Sequence, residues 1–314
     1  MFFKRHEVLL ILGNGFDLSL GLPTSYNNFV ESELFKKRVN IKHYPNAIID
    51  LHDRNIHNYL TLQKNLKNWI DVEMELMKYA TRQRVEYHND RGGLTSINIV
   101  SDGTIRTFYN LLCLDLQTYI KSIDLSKIDR KSLSLLLLKQ VSSRKNNQIV
   151  TFNYTDLEQL LGDKPKCGVK YIHGYTMTKI LLGFQRFNNM AEGYEYMIKS
   201  ENPDYKSCHL SDKMLEVDEI IIFGHSMGIT DHFYFQKFFD TQVGADAKHK
   251  QLTIFTKDNS SKESITRQLV TLANKKYNLF LDNTNVDIIS TQDNEVSVAA
   301  FIKELSKRQR MIHL

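Results

Sequence analysis

Cysteine is scarce: Cys113, Cys167 and Cys208 are three, far apart and odd in number. That excludes a disulfide framework and a zinc ligand set, and it fits isolated thiols in a reducing, cytoplasmic setting. Proline is scarce too, at four, so no proline-rich linker divides the chain. No apolar run approaches the ~20 residues of a membrane span. The start, Met1-Phe2-Phe3-Lys4-Arg5-His6, lacks a signal-peptide pattern. Repeats and low-complexity tracts are absent. Charge of one sign is not concentrated: the net value of +5 permits an anionic ligand without requiring nucleic acid. The basic residues at 303–310, interleaved with Phe301, Ile302 and Leu305, read as the wet face of a C-terminal helix. Two nucleotide fingerprints are missing as well. The third glycine of G-x-G-x-x-G is replaced by Leu18, and no Gly-Lys-Ser/Thr follows to make a Walker loop.

What is present begins at residue 7. Val8-Leu9-Leu10-Ile11-Leu12 is an apolar run that ends in Gly13-Asn14-Gly15-Phe16-Asp17. This is the pattern of a buried strand handing over to a loop that approaches a nucleotide. Glycine is expected there because a Cβ would hold backbone amides away from phosphates. Asn14 and Asp17 add polar groups at the strand's C-terminal end, where α/β sheets place ligands.

Further along, 25–37 reads as a helix. From 39 to 143 strand signal is weak. Leu60, Leu66, Trp69, Val72 and Leu76 recur at helical spacing, as do Phe108, Leu112, Leu116 and Tyr119. Residues 81–105, with Gly92-Gly93 and Asp102-Gly103, read as a polar loop or small lid. Trp69 is expected in an apolar core, and Glu73 as an exposed helix carboxylate. Strand texture returns at 148–153, 170–174, 179–184, 219–224, 251–255 and 286–289. The chain is therefore expected to be an α/β protein. It would have a parallel, Rossmann-like sheet with helices on both faces. Residues 1–38 and 144–314 would form the nucleotide-binding domain, with 39–143 a mainly helical insertion over the crevice.

Polar residues collect at the C-terminal ends of these strands. They are Asn14 and Asp17, then Asn153, Thr155 and Asp156, then His173-Gly174, then Gly224-His225-Ser226-Met227-Gly228 with Asp231. In a parallel sheet these ends share one edge, so distant segments converge on one crevice.

These same segments, with Gly21-Leu22-Pro23-Thr24-Ser25-Tyr26, Thr151-Phe152-Asn153-Tyr154-Thr155-Asp156 and Tyr171-Ile172-His173-Gly174, resemble the bacteriophage abortive-infection AbiH family. Trp69 and Glu73 match its helical Trp-x-x-x-Glu element. The skeleton is more distantly similar to sirtuin-like NAD-binding proteins. The resemblance implies an anti-phage protein that binds NAD or a related nucleotide and hydrolyses its N-glycosidic bond. His173 would stand in the catalytic histidine's place, and Asn153 would position water or the carboxamide. Asp17, Asp156 or Asp231 would stabilise positive charge. Gly13, Asn14, Gly15, Asp17, Thr24, Gly224, Ser226 and Asp231 would contact the nucleotide. No metal is implied. The partners implied are the small-molecule nucleotide, a phage-derived trigger protein and a second copy of the chain, with no membrane. In the sirtuin-like pattern an aspartate stands two residues after the asparagine; here that residue is Thr155, and Asp156 comes one later.

Two other readings compete. Gly224-His225-Ser226-Met227-Gly228 spells the G-x-S-x-G elbow of a serine hydrolase, with Asp258 or Asp287 and His313 as partners. Alternatively, the chain is a non-enzymatic module that senses a nucleotide or binds a partner.

Overall fold

The computed structural model describes residues 6–39, 55–63, 66, 69–82, 84–88, 94–98, 103–186, 193–292 and 295–310. Its strands, in chain order, are β1 (Val8–Leu12), β2 (Arg84–His88), β3 (Leu94–Asn98), β4 (Gln148–Thr151), β5 (Gly168–Tyr171), β6 (Glu219–Phe223), β7 (Lys250–Thr256) and β8 (Thr284–Ser290). The first helices are α1 (Asn14–Ser19), α2 (Tyr26–Val30), α3 (Glu33–Lys36), α4 (Ile56–Leu62), α5 (Trp69–Arg82) and α6 (Gly103–Lys121). They are followed by α7 (Leu133–Ser142), α8 (Leu157–Leu161), α9 (Leu210–Glu216), α10 (His232–Gln242), α11 (Asn259–Leu272), α12 (Tyr277–Asn283) and α13 (Glu295–Arg310). The chain forms two compact units. One comprises Met1–Leu22, Asp124–Ile172 and Ser207–Leu314; the other comprises Pro23–Ile123 and His173–Lys206.

The first unit is built on an all-parallel sheet of order β5-β4-β1-β6-β7-β8. Counted by appearance within this sheet, the order is that of the doubly wound Rossmann fold, and it reverses direction beside β1. The register sets Leu12 opposite both Thr151 and Phe223, and Phe223 opposite Phe255, so the C-terminal ends are level along one edge. Every residue of β1 and β6 is buried, as expected for central parallel strands covered on both faces. β8 alternates instead, as an edge strand does. Glu219, which opens β6, is a buried carboxylate held by His6 and by Arg308 Nη2 at 2.7 Å. Arg308 therefore does more than wet a helix face. The three cysteines are buried and free, and burial pushes the Cys113 and Cys167 thiols up to about 11, which leaves them inert.

The second unit holds α2 to α6, the paired β2 and β3, and the segment 173–206. An aromatic cluster centres on Phe29, whose ring lies 5.3 Å from Phe35, 5.6 Å from Tyr119 and 6.1 Å from Trp69. Trp69 donates its indole N–H to the carbonyl of Thr24 at 2.9 Å. Glu73 is not an exposed helix carboxylate: it is buried and pairs with the fully buried Lys199 at 2.7 Å. An apolar stretch of helix can hide such a carboxylate only when a distant segment supplies the cation.

Several local expectations are corrected. The helix read over 25–37 breaks in two, because Ser32 caps α3 by accepting from the Phe35 N–H at 3.3 Å. Residues 81–105, read as a loop, contain the antiparallel β2–β3 pair, with Val85 opposite Ile97 and Tyr87 opposite Thr95. Val85 and Tyr87 alternate with polar neighbours before the glycines, a period-two signal, whereas Leu94 and Ile97 after them do not. Gly92, Gly93 and Asp102 lie outside the described residues. Residues 179–184 form no strand of the main sheet; Phe184 makes an isolated bridge to Ile198. There Gly183 lets the chain pass close to another backbone, since a Cβ would fall 2.1 Å from the Met197 carbonyl oxygen. Residues 124–143 cluster with the sheet, and 173–206 cluster with the helices.

Leu10 sits fully buried in the central strand. Leu10→Ala is expected to lower the unfolding free energy of the first unit by about 3 kcal/mol. Leu279→Ala, at an exposed position of α12, is expected to cost no more than about 0.5 kcal/mol. Denaturant titration of both variants checks the contrast, and equal effects would contradict the burial of β1.

Candidate functional site

The site grows from the place where the β1 and β6 loops cross. Gly13 N–H donates to the Phe223 carbonyl at 2.9 Å, and Gly15 N–H to the Gly224 carbonyl at 2.9 Å. A Cβ on Gly13 would lie 2.5 Å from His225 Cα, and one on Gly15 would lie 2.7 Å from Gly224 Cα. Gly224 itself takes φ +65°, and its Cβ would meet the Phe16 nitrogen at 2.3 Å. The glycines are thus required by backbone crossing. The expected reason, an open amide cradle for phosphate, does not hold at Gly13, Gly15 or Phe16. Their amides are already spent on internal carbonyls, Phe16 donating to Gly13 at 2.9 Å.

This crossing positions a polar cluster. Asn153 follows β4, and its side-chain amide donates to the Gly13 carbonyl at 3.0 Å and to Asp17 Oδ1 at 2.8 Å. Thr155 donates its hydroxyl to Asp17 Oδ2 at 2.5 Å. Asp17 is buried, and desolvation pushes its carboxyl up to about 6, against the lowering effect of these two hydrogen bonds. The amide oxygen of Asn153 is buried and, among the described residues, has no hydrogen-bond partner. An orphan acceptor of this kind is costly in a protein interior and calls for an explanation.

A second pair lies beyond β6. His225 accepts the Met227 N–H at Nδ1 (2.9 Å), so its ring proton is on Nε2, 3.4 Å from Asp231 Oδ2. The ring packs on Phe152, centroids 4.0 Å apart, and on Phe235 at 5.5 Å. Phe152 precedes Asn153, so this contact ties the end of β4 to the end of β6.

The sequence-read residues divide accordingly. Gly13, Gly15, Asp17, Asn153, Gly224 and Asp231 meet at the carboxyl edge of the sheet, and Asn14 lies half-buried beside them in the same turn. Asp156 accepts the Glu158 N–H at 2.9 Å and so caps α8, leaving Thr155 to face Asp17. The one-residue shift noted in the sequence therefore exchanges the roles of these neighbours. Ser226 is exposed. Thr24 and His173 belong to the second unit, where both are buried; the His173 carbonyl accepts from the Leu181 N–H at 2.8 Å. Thr155 and His225 were not among the residues assigned a role. Thr155 was hidden by its more familiar acidic neighbour, and His225 by the serine beside it.

The serine-hydrolase elbow does not form. Such an elbow puts the serine on a strained turn directly before a helix. Here positive φ falls on Gly224 and Met227, and α10 starts at His232. Asp258 is committed to capping α11 through the Ser261 N–H at 2.8 Å, and Asp287 accepts from Gln251 at 3.0 Å. His313 lies outside the described residues. Among the described residues no group of His, Cys, Asp and Glu could hold a metal ion, and no helix is long and apolar enough to cross a membrane.

The sheet order and the crossing define a protein of the Rossmann-like α/β class with a polar cluster at its switch point. The family described as bacteriophage abortive infection AbiH matches residues 9–256, most of the chain, and the chain belongs to that family. Membership supports a role in abortive infection against phage. No curated protein matches the chain.

Asp17 has a directional consequence for stability. Its folded pKa of about 6 lies above the ordinary 3.8. Between those values the folded state holds a proton that the unfolded state has lost, so stability falls as pH rises through this window. Relative to Asp17→Asn, the wild-type protein is expected to lose on the order of 3 kcal/mol between pH 4 and pH 7. Parallel denaturant midpoints across that range test this, and a pH-independent difference would refute it.

Proposed function

We propose that the chain acts in abortive infection by binding NAD or a related nucleotide at the carboxyl edge of its parallel sheet. On a phage-derived trigger it hydrolyses the N-glycosidic bond. The observation that carries this reading is the orphan amide oxygen of Asn153, held beside Asp17 at the switch point. It is an acceptor placed where such folds take ribose and phosphate, and it lacks the donor that a hydroxyl or water would supply.

The chemistry asks little of the protein. Nicotinamide in NAD is already a cationic leaving group. The bond from ribose C1′ to the ring nitrogen breaks with its electron pair going to nicotinamide, and the oxygen of water bonds to C1′ and releases a proton. Asn153 would orient water or a ribose hydroxyl, fixed by its bonds to Gly13 and Asp17. A carboxyl titrating near 6 can be ionised at neutral pH, and Asp17 would then favour positive charge developing on the sugar. His173 is assigned the proton-accepting role by the family resemblance alone.

Purified protein incubated with NAD, and infected cells assayed for NAD, test the reading. Wild type is expected to deplete NAD on infection and to protect, and Asn153→Ala to do neither while keeping a cooperative unfolding transition. NAD bound but never consumed would overturn hydrolysis and favour a nucleotide-sensing module. Full protection by Asn153→Ala would overturn the site.

A further inference from the structure

A cavity of about 790 Å³ opens at the carboxyl ends of β6, β7 and β8 in the first unit. None of Asp17, Asn153, Thr155, His225 or Asp231 lines it. Its size is in the range of small-molecule sites, roughly 300–1,000 Å³. Gly15 and Gly224, the two sides of the loop crossing, contribute to its wall. Leu18 and Leu133 provide apolar surface, over a floor that includes the fully buried Phe255. Lys131 lies just before α7, and Lys257 just after β7; both line the cavity and both are exposed.

The charges are arranged for an anion. Among the described residues neither lysine makes an ion pair. Asp258, which feels the charge of Lys257, is committed to the cap of α11. Asp129, the acid on the cavity wall, accepts the Lys131 backbone N–H at 2.8 Å. Ser132 adds a buried hydroxyl oxygen that has no hydrogen-bond partner among the described residues and makes no cap bond to α7. Two ammonium groups around an apolar wall suit a ligand with a flat body and phosphates.

We propose that this cavity holds the phosphate-bearing part of a nucleoside phosphate, with Lys131 and Lys257 on the phosphates and Leu18 and Leu133 against the base. The inference rests on the nucleotide reading above. It deepens that reading by supplying the anion contacts that the Gly13, Gly15 and Phe16 amides cannot make, since those amides bond to the protein's own carbonyls.

The test is calorimetric titration of the full chain with ADP and with NAD. The variants are Lys131→Ala/Lys257→Ala, the charge-matched control Lys248→Ala/Lys262→Ala, and Asn153→Ala. The cavity pair is expected to weaken ADP binding roughly tenfold or more, the loss of at least one charge-assisted hydrogen bond. The control pair is expected to change it by no more than about twofold. Pyrophosphate is expected to compete with ADP in wild type and to fail in the cavity variant. Leu133→Trp, which fills the apolar wall, is expected to weaken ADP but not pyrophosphate. Undiminished ADP affinity in the cavity variant, with loss in Asn153→Ala, would overturn the cavity and leave the nucleotide reading standing. Equal weakening by the control pair would reduce the effect to net charge and overturn the cavity. Absence of ADP and NAD binding in wild type would overturn both.

Discussion

At the centre of the sheet two loop backbones touch without side chains between them, and the carboxyl edge depends on that contact. β1 and β6 pair in register up to Leu12 and Phe223, and their continuations then cross. Gly13 and Gly15 face Gly224 at separations no Cβ could share. The crossing closes the two halves of the sheet where its order reverses. It also aims the Gly13 carbonyl at Asn153 and starts α1, which brings Asp17 within reach of Asn153 and Thr155. Any side chain at these glycines would push β1 from β6 and scatter the cluster.

The sequence made the central strands legible because they are buried on both faces. β1, β4, β6 and β7 are short apolar runs, and burial on both sides is what removes the alternation that would mark an edge. Convergence of polar strand ends was legible for the same reason, since a parallel sheet leaves its C-terminal ends on one side. What was not legible depends on local geometry or on distant partners. The choice between Thr155 and Asp156 turns on where the extended chain bends into α8. The burial of Glu73 depends on Lys199, a cation from a distant segment whose only helical structure, among the described residues, is the short 3-10 turns Glu195–Met197 and Lys199–Glu201. The β2–β3 ribbon was masked by its charged and polar residues, and only β2, through Val85 and Tyr87, carries a period-two signal.

The glycine turn shows how a motif can be right in place and different in purpose. G-x-G after a first strand marks the switch point, because close backbone approach is needed there whatever the partner. In dinucleotide folds the partner is a pyrophosphate. In this chain it is another loop of the protein. The anion contacts of a nucleotide would then have to come from side chains, which shifts attention from the loop amides to Lys131 and Lys257 at the neighbouring strand ends.

Buried carboxylates in this chain fall into two kinds, those paired with a cation and those that are not. Glu219 is held by His6 and Arg308, Glu73 by Lys199, and Asp115 by both donors of Arg38 at 2.9 and 3.2 Å. Each has the cation that burial of a charge demands. Asp17 differs: its oxygens accept from a neutral amide and a neutral hydroxyl, and among the described residues no cation pairs with it. Two neutral donors do not offset its desolvation, which is why its carboxyl is raised while a paired one would be held down. A fold seeking only stability could have placed an asparagine there and kept hydrogen bonds to both neighbours. A buried carboxyl pushed up to about 6, bonded to an amide whose oxygen has no partner among the described residues, is the feature on which the proposed nucleotide reading rests.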